Sequence, residues 1–148
     1  MKSIDRLIEF FNDEMIKDLE RHRDSGDLFF SQPIDGEAVE YAKAAINFKR
    51  DGNKITAVKI PYQIKKYLSE TNEKMKRYHF CHCPLVRNSI LQAEGVVSKS
   101  FCRCSLGYMK KGFDAALGRE LTGRTVKTVL EDGVTECVFE FEIPEDVN

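Results

Sequence analysis

The chain has 148 residues, 42 % apolar and 32 % charged, which fits one domain able to bury a core without disulfide staples. Its 23 Lys+Arg against 24 Asp+Glu leave a formal net charge of −1, so the basic footprint that nucleic-acid binding needs is missing. No apolar run approaches the ~18–20 residues of a membrane span, and Asp5 follows the start at once with no apolar signal segment, so a single cytoplasmic domain over residues 1–148 is expected.

Residues 4–20 read as an amphipathic helix. Ile4, Leu7, Ile8, Phe11, Met15 and Leu19 follow the 3–4 spacing, with Ser3 as N-cap. Asp24-Ser25-Gly26-Asp27 breaks it. A second helix is expected after the cap Asp35, carrying Val39, Ala42, Ile46 and Lys49 and stopping at Asp51 and Gly52. Residues 55–60 are β-branched and fit either a strand or a helix lead-in. Pro61 suits a first helical turn, and Ile64, Tyr67, Leu68 and Met75 predict helix from about 62 to 77. Pro84 can open a short helix with Leu85, Val86 and Ile90, ended by Gly95. Ser105 is the expected cap of a helix with Met109, Phe113, Ala116 and Leu117, closed by Gly118.

The last third changes period. Residues 120–130 are rich in Thr and Val, and Asp132 and Gly133 signal a turn. Thr135, Cys137, Phe139, Phe141 and Ile143 then alternate with Glu136, Val138, Glu140 and Glu142. That period of two predicts a strand with one apolar and one mostly acidic face, hence a C-terminal β-hairpin. Helices first and a hairpin last predict an α+β fold, with N-terminal helices (about 1–77) packed on an antiparallel sheet that ends in the cysteine-rich and hairpin part (about 78–144).

Five cysteines stand in the chain, all beyond residue 80. Cys81 with Cys83, and Cys102 with Cys104, form two Cys-x-Cys pairs, and Cys137 falls on the apolar strand face, where it reads as core packing. An odd count without a secretory signal argues against a disulfide framework. Residues i and i+2 of an extended backbone point to the same side, so each pair can present both sulfurs to one ion. Four thiolates on a tetrahedron suit Zn²⁺, or an iron–sulfur cluster as the alternative. Cys-x-Cys is tighter than the commonest zinc spacing, and redox-active thiols and unrelated buried thiols stay open beside the metal reading. Arg87, Arg103, Lys110 and Lys111 are near enough in sequence to offset four thiolates, and the Ser105 helix start adds a positive dipole end beside Cys102 and Cys104. Among the histidines, His82 reads as a packing or solvent-facing residue that could replace a cysteine ligand, His79 as structural, and His22 as exposed. No nucleophile elbow, phosphate loop, zincin motif or dinucleotide fingerprint occurs.

The strings Cys81-His82-Cys83-Pro84, Phe101-Cys102-Arg103-Cys104-Ser105-Leu106-Gly107-Tyr108 and Leu117-Gly118-Arg119-Glu120-Leu121 resemble a cysteine-rich prokaryotic family. The ending, from Thr125-Val126-Lys127 through Gly133 to Cys137-Val138-Phe139, is also similar to two other groups. These are the L-2-amino-thiazoline-4-carboxylate hydrolase-like family and the 4-vinyl-reductase-type small-molecule-binding domain. The resemblance covers about residues 78–144. The hydrolase-like group implies hydrolytic opening of a cyclic amidine that carries sulfur and a carboxylate. The binding domain implies an α+β pocket for small apolar or aromatic ligands, sometimes beside a cysteine-bound zinc. The chain departs from that zinc pattern, because the position eight before Cys137 is Val129.

The leading expectation is therefore a metal-binding small-molecule-binding or sensor domain with zinc on Cys81, Cys83, Cys102 and Cys104. One alternative is a small hydrolase in which Cys102 or Cys104 is the activated thiol and Arg103 holds a substrate carboxylate. A thiol redox protein is the other. The expected partner is a small-molecule ligand, with a homodimer as an open alternative.

Overall fold

The long first helix begins where Ser3 accepts a hydrogen bond from the Arg6 N–H at 3.3 Å. This computed structural model describes residues 3–92 and 97–147; the stop expected at Gly95 lies outside them. Helix α1 spans Ile4–Ser25 and ends at Gly26, whose φ of 76° is left-handed. It buries Ile4, Leu7, Ile8 and Leu19, the apolar stripe expected from the spacing. Helix α2 spans Gly36–Ala45, with the Asp35 carboxylate accepting from the Ala38 N–H at 3.0 Å.

The second helix does not run on to Asp51. Ile46 turns to φ 49°, and strands β1 (Phe48–Asp51) and β2 (Lys54–Val58) pair antiparallel with Asp51 opposite Lys54. Gly52 and Asn53 form the two-residue hairpin turn, with Gly52 at φ 60° and Asp51 as the last residue of β1. The helical reading failed because the 3–4 spacing of Ile46 and Lys49 carried no packing. Phe48 is the buried residue of β1, and its ring lies 5.1 Å from that of Phe113.

The helix expected over 62–77 is two helices. Helix α3 covers Ile64–Ser69 and α4 covers Glu73–Phe80; Pro61 precedes them rather than opening a first turn. Glu70 is extended (ψ 130°), and its carboxylate takes the Thr71 and Asn72 N–H groups at 3.0 and 2.9 Å. Asn72 then caps α4 through the Met75 N–H. Side chains thus satisfy the backbone that a continuous helix would have bonded internally. After Pro84 the chain makes turns and a short 3₁₀ helix, Arg87–Leu91, instead of an α-helix. Helix α5 spans Arg103–Leu117 and closes at Gly118, φ 67°. Cys102, not Ser105, occupies its N-cap position.

Strands β3 (Gly123–Lys127) and β4 (Val138–Glu142) form the C-terminal antiparallel pair, joined through residues 128–137 with Gly133 at φ 77°. The sheet order is β1-β2-β4-β3, antiparallel throughout. Phe48, Ile55, Ala57, Phe139 and Phe141 are buried on one face. On the other, Glu140 meets Lys54 at 3.8 Å and Arg124 at 2.8 Å. The chain is an α+β protein, as its pattern predicts.

Helices α1 and α5 cover the apolar face. The rings of Phe11, Phe48, Phe113 and Phe141 meet there, with Phe11 and Phe113 centroids 4.8 Å apart. Gly112 makes that approach possible, since a Cβ in its place would stand 2.8 Å from the Phe11 ring.

Candidate functional site

The cysteines lie at the ends of elements. Cys81 follows the last turn of α4, and its N–H donates to the Arg77 carbonyl oxygen at 3.1 Å. Cys83 lies two residues on. Cys102 and Cys104 sit at the start of α5, and Cys137 directly precedes β4. All five are free thiols and all five line one cavity of about 270 Å³. The cavity therefore joins two helix ends to the centre of the sheet. Residues 128–137 close it with Val129 and Leu130.

Lys59 also lines the cavity. It leaves β2 with its N–H donating to the Cys137 carbonyl oxygen at 3.2 Å, and its ammonium donates to Ser105 Oγ at 3.0 Å. Burial pushes the Lys59 pKa down, while the facing thiols Cys137, Cys81, Cys102 and Cys83 push it back up. The thiols respond in kind. Burial raises Cys81 to about 11 and Cys137 to about 12. Cys102 is raised by burial too, against a hydrogen bond with the Thr128 side chain and the nearby Lys59 charge, which lower it. The helix-start dipole does not make Cys102 an acidic thiol; its half-buried position outweighs it.

The four cysteines expected as ligands are thus brought to one chamber, with Cys137 as a fifth thiol. Cys137 is core, as its strand position implied, and also wall. Arg103 is exposed at the start of α5 and does not line the cavity. The other three expected counter-charges are engaged elsewhere. Arg87 lies over the Tyr78 ring at 4.1 Å and donates to the Tyr78 carbonyl oxygen. Lys110 pairs with Asp114 and Glu120. Lys111 stands over the Tyr108 ring at 4.1 Å. The cation in the chamber wall is Lys59, which sequence reasoning missed. Its signal was a single lysine in the β-branched run 55–60.

His82 packs edge-on to Phe30 and Tyr62, with Nε2 2.6 Å from the Ile60 carbonyl oxygen. Burial lowers its pKa to about 4, so it is a neutral packing residue at pH 7. His79 is buried against Gln63, its Nδ1 3.0 Å from Oε1. His22, expected to be exposed, is half-buried, with Nδ1 2.7 Å from the Asp18 carbonyl oxygen.

Among the described residues, no three His, Cys, Asp or Glu side chains are drawn together as a ready metal-binding group. The thiols share a chamber rather than a point. The donor chemistry fits a soft or borderline ion. No protein-family model matches the chain, and no curated protein or solved structure matches it significantly.

Proposed function

We propose that the chain is a metal- and small-molecule-binding domain whose thiol chamber holds one zinc ion through Cys81, Cys83, Cys102 and Cys104. The observation that carries this reading is that two Cys-x-Cys pairs, separated by residues 84–101, line the same cavity of about 270 Å³. Zinc suits a closed four-thiolate site because it needs no redox partner and accepts tetrahedral sulfur. Four thiolates around Zn²⁺ leave a charge of −2, and the Lys59 ammonium in the wall offsets part of it. A bound ion supplies a crosslink between the ends of α4 and α5, so loading and stability rise together.

Metal analysis and absorbance of anaerobically purified protein test the proposal. About one zinc per chain, without visible absorbance, is expected. Cys102→Ser is expected to lower zinc content and melting temperature together. Iron with a broad visible band replaces zinc by an iron–sulfur cluster. Metal-free protein with five titratable thiols overturns the metal site and favours thiol chemistry, for which Cys102 beside Thr128 and Lys59 is the first position to test.

A further inference from the structure

The net charge of −1 conceals a segregated chain. Residues 74–113 hold eight lysines and arginines against one acidic residue, Glu94, while residues 1–40 hold five against eleven and residues 114–148 three against nine. Within the middle stretch Arg77 is engaged by Val129 and Asp132, and Lys110 by Asp114 and Glu120. Lys99, Arg103 and Lys111 are exposed, and none of them forms an ion pair among the described residues. All three stand at the mouth of the thiol chamber. Lys99 and Arg103 flank Phe101, Lys111 lies over the Tyr108 ring, and Phe101 and Tyr108 line the chamber. The start of α5, which has no side-chain cap, adds a positive dipole end there. The nearby Glu131 carboxylate is held on the Thr128 N–H at 2.8 Å.

Large apolar side chains project from the same mouth. Leu85 is 87 % exposed, Phe101 60 % and Tyr108 53 %. Leu85 follows Pro84, which lines the chamber. The Arg87 N–H donates to the Cys83 carbonyl oxygen at 3.0 Å while Val86 and Ile90 turn inward, which leaves Leu85 outside the turn. The Phe101 N–H donates to the Ser98 carbonyl oxygen at 3.1 Å, and Ser98 Oγ accepts the Ser100 N–H at 3.2 Å. These bonds fix the short 3₁₀ turn Lys99–Cys102 that carries the Phe101 ring. On α5, Met109 and Phe113 face the core, so Tyr108 and Lys111 share the outer side. Exposed apolar groups gathered in one place mark a contact surface. A protein partner would have to supply a pocket for each projection, whereas a fluid bilayer accepts projections without matching cavities. The surrounding cations complement an anionic headgroup layer, and a tyrosine ring suits the boundary between apolar and wet.

We propose that this face docks the chain on anionic membrane surfaces. Leu85 and Phe101 insert at the boundary of headgroups and acyl chains, and Lys99, Arg103 and Lys111 lie on the headgroups. The contact is peripheral; among the described residues no helix is long and apolar enough to cross a membrane. The mouth of the thiol chamber then faces the headgroup layer. The docking is independent of whether the chamber holds a metal.

Cosedimentation of the full chain tests it, with vesicles of phosphatidylcholine alone and with vesicles in which about one third of the lipid is phosphatidylserine. The chain is expected to pellet with the second, to stay in solution with the first, and to be released at about 0.5 M salt. Leu85→Ser and Phe101→Ser are each expected to weaken binding about tenfold, and Lys99→Glu combined with Arg103→Glu by about tenfold or more. All four positions are exposed, so these variants keep the core. Phe10→Ser removes an apolar side chain that is 54 % exposed on α1 and forms no part of the chamber wall, and it is expected to leave binding unchanged. Pelleting with neither vesicle, equal pelleting with both, or an equal loss in Phe10→Ser overturns the proposal. Binding that survives Leu85→Ser and Phe101→Ser and is displaced by polyglutamate would make an acidic protein the partner, and also overturns it.

Discussion

Arg77 on α4 donates through Nη1 to the carbonyl oxygen of Val129 at 3.0 Å, a residue that walls the thiol chamber. Its Nη2 reaches Asp132 Oδ1 at 3.1 Å, and Glu73, one turn back on the helix, takes the Gly133 N–H at 2.9 Å. Arg77 is 3 % exposed. The helix that ends at Cys81 is thereby fastened to the loop that leads into Cys137.

Arg77→Met keeps much of the volume but removes the donors, leaving the Val129 carbonyl without its partner. We expect a loss of about 2 kcal/mol, read as a lower urea midpoint at unchanged slope. Arg77→Lys is expected to restore less than half, because a point ammonium cannot serve Val129 and Asp132 together.

Asp35 caps α2 and pairs with Lys65 at 3.0 Å. The hydrogen bond from the Ala38 N–H, and then Lys65, lower its pKa. A carboxylate held below its unfolded value stabilises fully above the unfolded pKa, and that contribution is lost as pH falls through the folded one. Asp35→Ala is expected to cost about 1 kcal/mol at neutral pH. The gap between wild-type and variant melting temperatures should narrow as pH falls below the ordinary carboxylate range and through the lowered folded pKa; a gap that does not narrow on acidification would show that the cap acts through something other than its charge.

Gly112→Leu puts a side chain where even a Cβ stands 2.8 Å from Phe11. Leucine is the better helix former by almost 1 kcal/mol, yet we expect net destabilisation of about 1–3 kcal/mol from overpacking between α1 and α5. Phe11→Ala in the same chain should recover part of it, and thermal melts of the double-mutant cycle measure that coupling.

In metal-free protein the thiols should react with iodoacetamide in order of access. Cys104 is exposed, Cys83 and Cys102 are half-buried, and Cys81 and Cys137 are buried with raised pKa values. Peptide mapping after brief labelling near neutral pH should find Cys104 first and Cys137 only on unfolding. Early labelling of Cys137 would show that the chamber opens to solvent.

The apolar stripe of α1, the Asp35 cap and the alternation Cys137, Phe139, Phe141 all stood in the sequence, because each is set by neighbours within a turn or two. The β1–β2 hairpin did not. Only Phe48 of β1 is buried, so the strand shows no alternation, and Asp51 and Gly52 signal a helix stop as well as a hairpin. The spacing of the cysteines allowed the two Cys-x-Cys pairs to meet, and both line one cavity, although no three possible ligands are drawn together among the described residues. Lys59 was not, because its partner Ser105 lies 46 positions on in the chain and belongs to an element whose docking no local pattern records.

Strand β4 is an interior strand, flanked by β2 and β3, and it follows every other described element in the chain. Until it emerges during synthesis, β2 and the β1 hairpin have no sheet to join, and four of the five cysteines are already made. Closure of the sheet is thus a late event that spans most of the chain, and such long-range pairing is slow. The thiols spend that interval uncovered, so the redox state and metal supply of the surroundings act on the chain before the chamber exists.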